Sequence, residues 1–170
     1  MISGKYLGEI VRQVCLKLID SGLFLEGQPS GNFKKQEAFK TSYVSDIENG
    51  EESNLLDAKR VLKDEMGIDN PTEEDCRTIR EVCTAVSIRA ARLAAAGVVS
   101  LVRKIGKVKK CTVAVDGSLY KCHPHFKFIM KASMEEMEPG NGITMKESQD
   151  GSGKGAAMVA AVATRLAAKK

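Results

Sequence analysis

Twice in its last third the chain runs a short strand-like stretch into the same tripeptide. CTVAV leads to Asp116-Gly117-Ser118, and ITMKES leads, just beyond, to Asp150-Gly151-Ser152. A helical pattern from Pro124 to Met137 lies between them, and an apolar helix follows the second bend. Strand, helix, strand, helix in this order predicts a parallel βαβα unit, because parallel strands need a long crossover that a helix supplies. In open α/β sheets ligands bind outside the carboxyl ends of the strands, so both glycine-containing bends are expected to face one crevice. Asp-Gly is a common turn signal, so their position carries more of the argument than the tripeptide.

The second bend opens the stretch SQDGSGKGAAMVAAVATRLA, Ser148 to Ala167. Glycines and a lysine stand at the mouth of a helix, where unpaired N–H groups and a partial positive charge favour anions or polar ligand atoms. A P-loop is excluded. The pattern G-x-x-x-x-G-K-[ST] ending on Gly153-Lys154 would need glycine at Ser148 and a hydroxyl at Gly155.

The rest of the chain reads mainly as helices. Leu7, Ile10, Val11, Val14, Leu18 and Ile19 recur at helical spacing from Lys5 to Ile19, and Gly22 stands where that helix would end. Residues 27–36, with Pro29, Ser30, Gly31 and Asn32, read as a surface loop. Helical pieces are expected around Ser42–Glu48 and Asn54–Met66, the second stopped by Gly67 and Asn70-Pro71. Thr72 then begins T-E-E-D, a capping-box pattern, followed by Cys76, Ile79, Cys83, Val86, Ala90, Leu93 and Gly97 on one inward face. This is one long helix or two with a kink. Its RAARLAAAG centre permits close approach by a neighbour, as in a buried helix, and Cys76 and Cys83 read as small core hydrophobes.

Composition narrows the class. With 170 residues, 43% apolar and 28% charged, the chain fits one globular domain or a piece of a larger one. The net charge of +4 is mild, and the basic run Arg103, Lys104, Lys107, Lys109 and Lys110 follows a helix, where cations oppose the dipole, so nucleic acid is not an expected partner. Five cysteines without framework spacing fit reduced thiols in a cytoplasmic protein. No stretch has the length expected of a membrane span, and the first residues lack the plan of a signal peptide. Cys122-His123-Pro124-His125, with Cys111 nearby, offers metal-ligating side chains, but they are crowded and lack a second pair; a strand-to-helix turn is the reading adopted. No metal ligand is assigned.

The segments MISGKYLGEIVR, FKTSYVSDIE, VSIRAARLAAAG, TVAVDGSLYKCHPHF and DGSGKGAAMVAAV, taken in order, resemble the hexokinase family along the whole chain. The resemblance implies an α/β fold: the C-terminal part of the large domain of an actin-like, ribonuclease-H-like architecture, with helices packed on a mixed sheet and no second domain. It also implies ATP, Mg2+ and phosphoryl transfer to the 6-hydroxyl of glucose and related hexoses.

Carried over by position, the resemblance implies that Gly4 and Lys5 contact the nucleotide and that Thr41 and Ser45 border it. Asp116, Gly117 and Ser118 resemble the adenosine motif. Gly151, Ser152, Gly153, Lys154 and Gly155 resemble the wall against adenine and ribose. The family's phosphate hairpin, its catalytic aspartate and its sugar-binding residues have no counterpart here and would precede Met1. No catalytic residue is therefore assigned, and the 170 residues alone are expected to be inactive, since phosphoryl transfer depends on positioning and electrostatics. A non-catalytic or regulatory hexokinase-like module is the alternative. Apolar helices left without neighbours make self-association a further expectation.

Overall fold

The structure, a computed structural model, describes residues 2–50, 54–106, 110–148 and 151–167. The opening amphipathic pattern forms α1, Leu7–Asp20, which buries Leu7, Val11, Cys15 and Ile19 one turn apart. Beyond its end, Gly22 adopts φ +71°, a left-handed geometry that glycine takes without a Cβ clash. The expected surface loop that follows contains a short helix, α2, Gly31–Lys34. Ser30 caps it by accepting the Phe33 N–H, and the Phe33 ring is buried edge-on to Phe24 and stacked towards Phe39. One aromatic anchor holds a turn-rich segment in the core, which local turn chemistry does not reveal.

Arg12 of α1 ties this segment down. Its guanidinium forms a fork onto Glu9 at 2.8 and 2.6 Å and donates to the Phe33 carbonyl at 2.6 Å. Those hydrogen bonds from Arg12 hold the Glu9 carboxyl well below its ordinary 4.5, at about 2.

Helix α3 spans Thr41–Asn49, and α4, Leu56–Arg60, runs on through a π-helical turn over Val61–Glu65 until Gly67 at φ +70°. Ser30 Oγ and the Asn32 amide donate to the Met66 and Glu65 carbonyls at 2.5 and 2.9 Å, satisfying acceptors where the helix ends.

The T-E-E-D signal marks the start of α5, Glu73–Lys104, one continuous helix. Thr72 Oγ1 accepts the Asp75 N–H at 3.1 Å, and the Asp75 carboxylate accepts the Thr72 N–H at 2.9 Å, completing the capping box. Cys76, Ile79, Cys83 and Ala90 face inward as expected, but the face then continues through Ala91, Ala95, Val99 and Val102. Leu93 is 46% exposed, and Gly97 is exposed too. Over so long a helix the inward stripe drifts, because the packing period is not a fixed alternation of three and four. By length and composition α5 is also long and apolar enough to cross a bilayer, contrary to the sequence expectation that no stretch is. Those two properties do not make it a span; part of its apolar surface is the core against which α1, α3, α4 and the later helix over Phe126–Met137 pack.

The strands are β1, Cys111–Val115, and β2, Ile143–Glu147, paired in parallel with Cys111 opposite Ile143 and Val115 opposite Glu147. Val115, Ile143 and Met145 pack on the core while Thr112, Ala114, Thr144 and Lys146 are exposed, the alternation a pleated strand imposes. Among the described residues the sheet consists of this parallel pair. The crossover is two helices, α6, Ser118–Cys122, and α7, Phe126–Met137. The sequence pattern from Pro124 locates α7, whereas five residues are too few to give α6 a readable period. Helix α8, Gly151–Ala167, follows β2 and leaves Met158, Val159, Val162 and Leu166 exposed.

Candidate functional site

The two bends leave the sheet side by side. Ser148 N donates to the Val115 carbonyl at 2.9 Å, carrying the strand pairing to the point where both segments turn away. Asp116 then joins them: one carboxylate oxygen accepts from Lys121 Nζ at 2.6 Å and the other from the Gly151 N–H at 3.2 Å. The hydrogen bond from Lys121, with that from Gly151, lowers the Asp116 pKa and keeps the carboxylate charged. Asp116 thus clasps the start of α8 to the end of β1. The sequence placed it at the ligand but did not reveal Lys121, whose partnership depends on the unforeseen α6.

The same side of the molecule receives the start of α1. A side chain added at Gly4 would lie 3.5 Å from Ser118 Oγ and 3.6 Å from Leu119 Cβ, so the chain before α1 runs against the start of α6. Four residues on, the Gly8 N–H donates to Thr41 Oγ1 at 3.0 Å. That bond leaves the Thr41 hydroxyl proton available to a ligand oxygen. Gly8 is buried against residues 39–41 so closely that any Cβ would meet the Phe39 carbonyl oxygen at 2.1 Å. Ser45 lies one turn beyond Thr41 on the same stripe of α3 and is half-buried.

Contacts thus run from Gly4 to Ser118, from Gly8 to Thr41 and from Asp116 to Gly151, the first two at the N-terminal end of α1. Lys5 is exposed beside them, its ammonium 5.5 Å from the centre of the Tyr6 ring. Gly153, Lys154 and Gly155 lie in the first two turns of α8 rather than in the loop read from sequence, and all three are exposed. Among the described residues no other element lies within 4 Å of a Cβ built on Gly155, so that side of the helix is open to a flat ligand. Asp150 of the second tripeptide, the Ser152 side chain, and Lys107 and Lys109 of the basic run lie outside the described residues. Arg103 of that run is paired with Glu138 at 2.5 Å.

The candidate metal cluster has different chemistry. His123 is buried with its ring on Ser87, and His125 Nε2 lies 2.9 Å from the Glu48 carbonyl oxygen. Among the described residues no group of His, Cys, Asp or Glu side chains is arranged to hold a metal. A cavity of about 810 Å³ lies elsewhere, along the first turns of α5 between Leu55 and Ile88. Its two arginines are already engaged: Arg77 pairs with Glu73, and Arg80 donates to the Ile47 and Gly50 carbonyls. The convergence of four separate sequence segments makes the α1 end, not that cavity, the candidate site.

A family model for hexokinase matches residues 1–162. This chain belongs to the hexokinase family. It is 44% identical over 171 aligned residues to the human protein Hexokinase HKDC1, covering 98% of this chain and 18% of that protein. Mouse Hexokinase-3 is 43% identical over the same shares of each chain. Among solved structures, a hexokinase from Schistosoma mansoni complexed with glucose matches 94% of this chain and 36% of its own, with TM-score 0.87 and 36% identity. A second hexokinase crystal structure matches with TM-score 0.72 at 25% identity. The fold is thus the actin-like α/β architecture of these kinases, represented here by its helices and a small parallel sheet. The chain spans about a fifth of the length of these curated relatives.

Proposed function

We propose that this chain is the C-terminal portion of a hexokinase large domain and supplies the adenosine side of its nucleotide cleft. The parent protein then phosphorylates the 6-hydroxyl of glucose or a related hexose with ATP and Mg2+. The observation carrying this reading is the linkage of Gly4 to Ser118, Gly8 to Thr41 and Asp116 to Gly151, which gathers separated family motifs at one place. The α8 glycines offer an open backbone surface to a base and ribose, and Thr41 offers a hydroxyl proton. The exposed ammonium of Lys5 adds positive charge beside Gly4, and Lys154 stands exposed on the α8 wall.

Mg2+ neutralises phosphate charge in such a transfer. The described residues do not fit a protein-held Mg2+ site, so no step is assigned to them through the metal. Their share is to bind and orient the nucleotide. Five free thiols, three of them buried, support a reducing compartment such as the cytoplasm.

The test is a coupled assay of ATP consumption with glucose. The isolated chain should show none, and addition of the preceding hexokinase sequence should restore turnover. Glucose-dependent turnover by the 170 residues alone would refute the division of labour.

A further inference from the structure

Helices α3 and α6 present Thr41 and Ser118 in their first turns, and both lead at their other ends into one buried polar cluster. Glu48, near the end of α3, is 2% exposed; His123, just after α6, is 4% exposed; Ser87, from the middle of α5, is fully buried. The Ser87 hydroxyl donates to Glu48 Oε1 at 2.6 Å, and His123 Nε2 lies 3.1 Å from Ser87 Oγ and 3.4 Å from Glu48 Oε1. The His125 N–H donates to His123 Nδ1 at 3.3 Å, which makes Nδ1 the acceptor and assigns the ring proton to Nε2. The hydrogen bonds therefore run in one direction, from His123 through Ser87 to Glu48. Two further links fix the end of α3: His125 meets the Glu48 carbonyl, and Arg80 donates to the Ile47 and Gly50 carbonyls.

A hydrophobic trio would hold three elements together with no less stability, since buried ionisable groups are expensive to desolvate. Directional bonds add a fixed relative rotation and distance, which greasy contacts do not specify. On α3 the residues Thr41, Ser45 and Glu48 fall at i, i+4 and i+7, one stripe of the helix. The cluster therefore sits roughly 10 Å along the axis from Thr41. We infer that Glu48, Ser87 and His123 are positioning residues for nucleotide binding, setting Thr41 and Ser45 of α3 against Ser118 of α6. This inference rests on the nucleotide reading of the site.

The experiment titrates ADP into the chain and follows backbone amides by NMR, alongside thermal melts. In the wild type the amides of Gly4, Thr41, Ser45 and Ser118 should shift along one saturation curve. Ser87→Ala should weaken that binding at least about fivefold, as expected for a misplaced contact. Glu48→Gln, which keeps an acceptor at Oε1, should stay within about twofold, whereas Glu48→Leu should lose affinity even where its melting temperature equals the wild type's. Val99→Ala, a core truncation further along α5, should lower the melting temperature and leave ADP affinity unchanged. Ser87→Ala and Glu48→Leu binding like wild type, while Thr41→Ala binds more weakly, would overturn the positioning role alone. Absence of any ADP-induced shift in the wild type would overturn the nucleotide reading and this inference with it.

Discussion

Alanine at Gly8 would place its Cβ 2.1 Å from the Phe39 carbonyl oxygen, 2.7 Å from the Lys40 carbonyl carbon and 2.8 Å from the Thr41 nitrogen. These are backbone atoms, so no side-chain rotation relieves the overlap. The 39–41 segment would have to retreat by about 1 Å against a close-packed interior. Phe39 is 1% exposed, with its ring 5.6 Å from that of Tyr43, so the retreat disturbs the aromatic core as well. It also lengthens the 3.0 Å bond from Gly8 N–H to Thr41. Overpacking costs roughly 1–3 kcal/mol or more and the hydrogen bond about 1 kcal/mol, against a gain of about 1 kcal/mol in helix propensity. The net expectation is a loss of roughly 1–3 kcal/mol. Gly97 is the internal control: it lies inside α5 with no other element among the described residues within 4 Å of an added Cβ. Gly97→Ala should therefore stabilise the chain by roughly 0.5–1 kcal/mol. Urea unfolding followed by far-ultraviolet circular dichroism measures both. If Gly8→Ala matches or exceeds wild-type stability, the close approach of α1 to residues 39–41 is wrong.

The Glu9 carboxyl, held at about 2 rather than its ordinary 4.5 by Arg12, contributes stability that is complete above the unfolded value and fades as pH falls from 4.5 towards 2. Glu9→Gln should flatten the stability profile across that window, and an unchanged acid slope would contradict the Arg12 fork. Burial pushes the Cys15 thiol to about 12 and raises Cys83 in the same direction, while Cys122 is exposed. Iodoacetamide at pH 8 should accordingly modify Cys122 well before Cys15 or Cys83, and mass spectrometry showing equal labelling of the folded chain would count against the core. The exposed α8 face of Met158, Val159, Val162 and Leu166 should promote concentration-dependent self-association in sedimentation velocity, with the double variant Met158→Glu/Val162→Glu abolishing it. A wild-type monomer at high concentration would refute that expectation.

Local signals with a complete mechanism could be read from the chain. Thr72 and Asp75 carry both halves of a capping box, Gly22 and Gly67 mark real helix ends, and the CTVAV and ITMKE runs form the parallel pair. What escaped depends on distance in space. Phe33 anchors α2 through rings at other sequence positions, Leu93 loses its inward place to alanines on a drifting stripe, and α6 is too short to show periodicity. The candidate site follows the same division. Its glycines and hydroxyls stand in recognisable motifs, whereas the Lys121 clasp and the Glu48–Ser87–His123 cluster exist only once the helices have met. At Cys122–His125 both histidines are engaged by residues far away in the sequence, contacts that the local spacing does not show.

The most direct measurement is photolabelling of the chain with 8-azido-ADP, followed by peptide mapping and competition with unlabelled ADP. The account predicts adducts, lost on competition, in the peptides holding Asp116–Ser118 and Gly151–Gly155. Competed labelling confined to the cavity beside Arg77 and Arg80, with both bends unmodified, would contradict it.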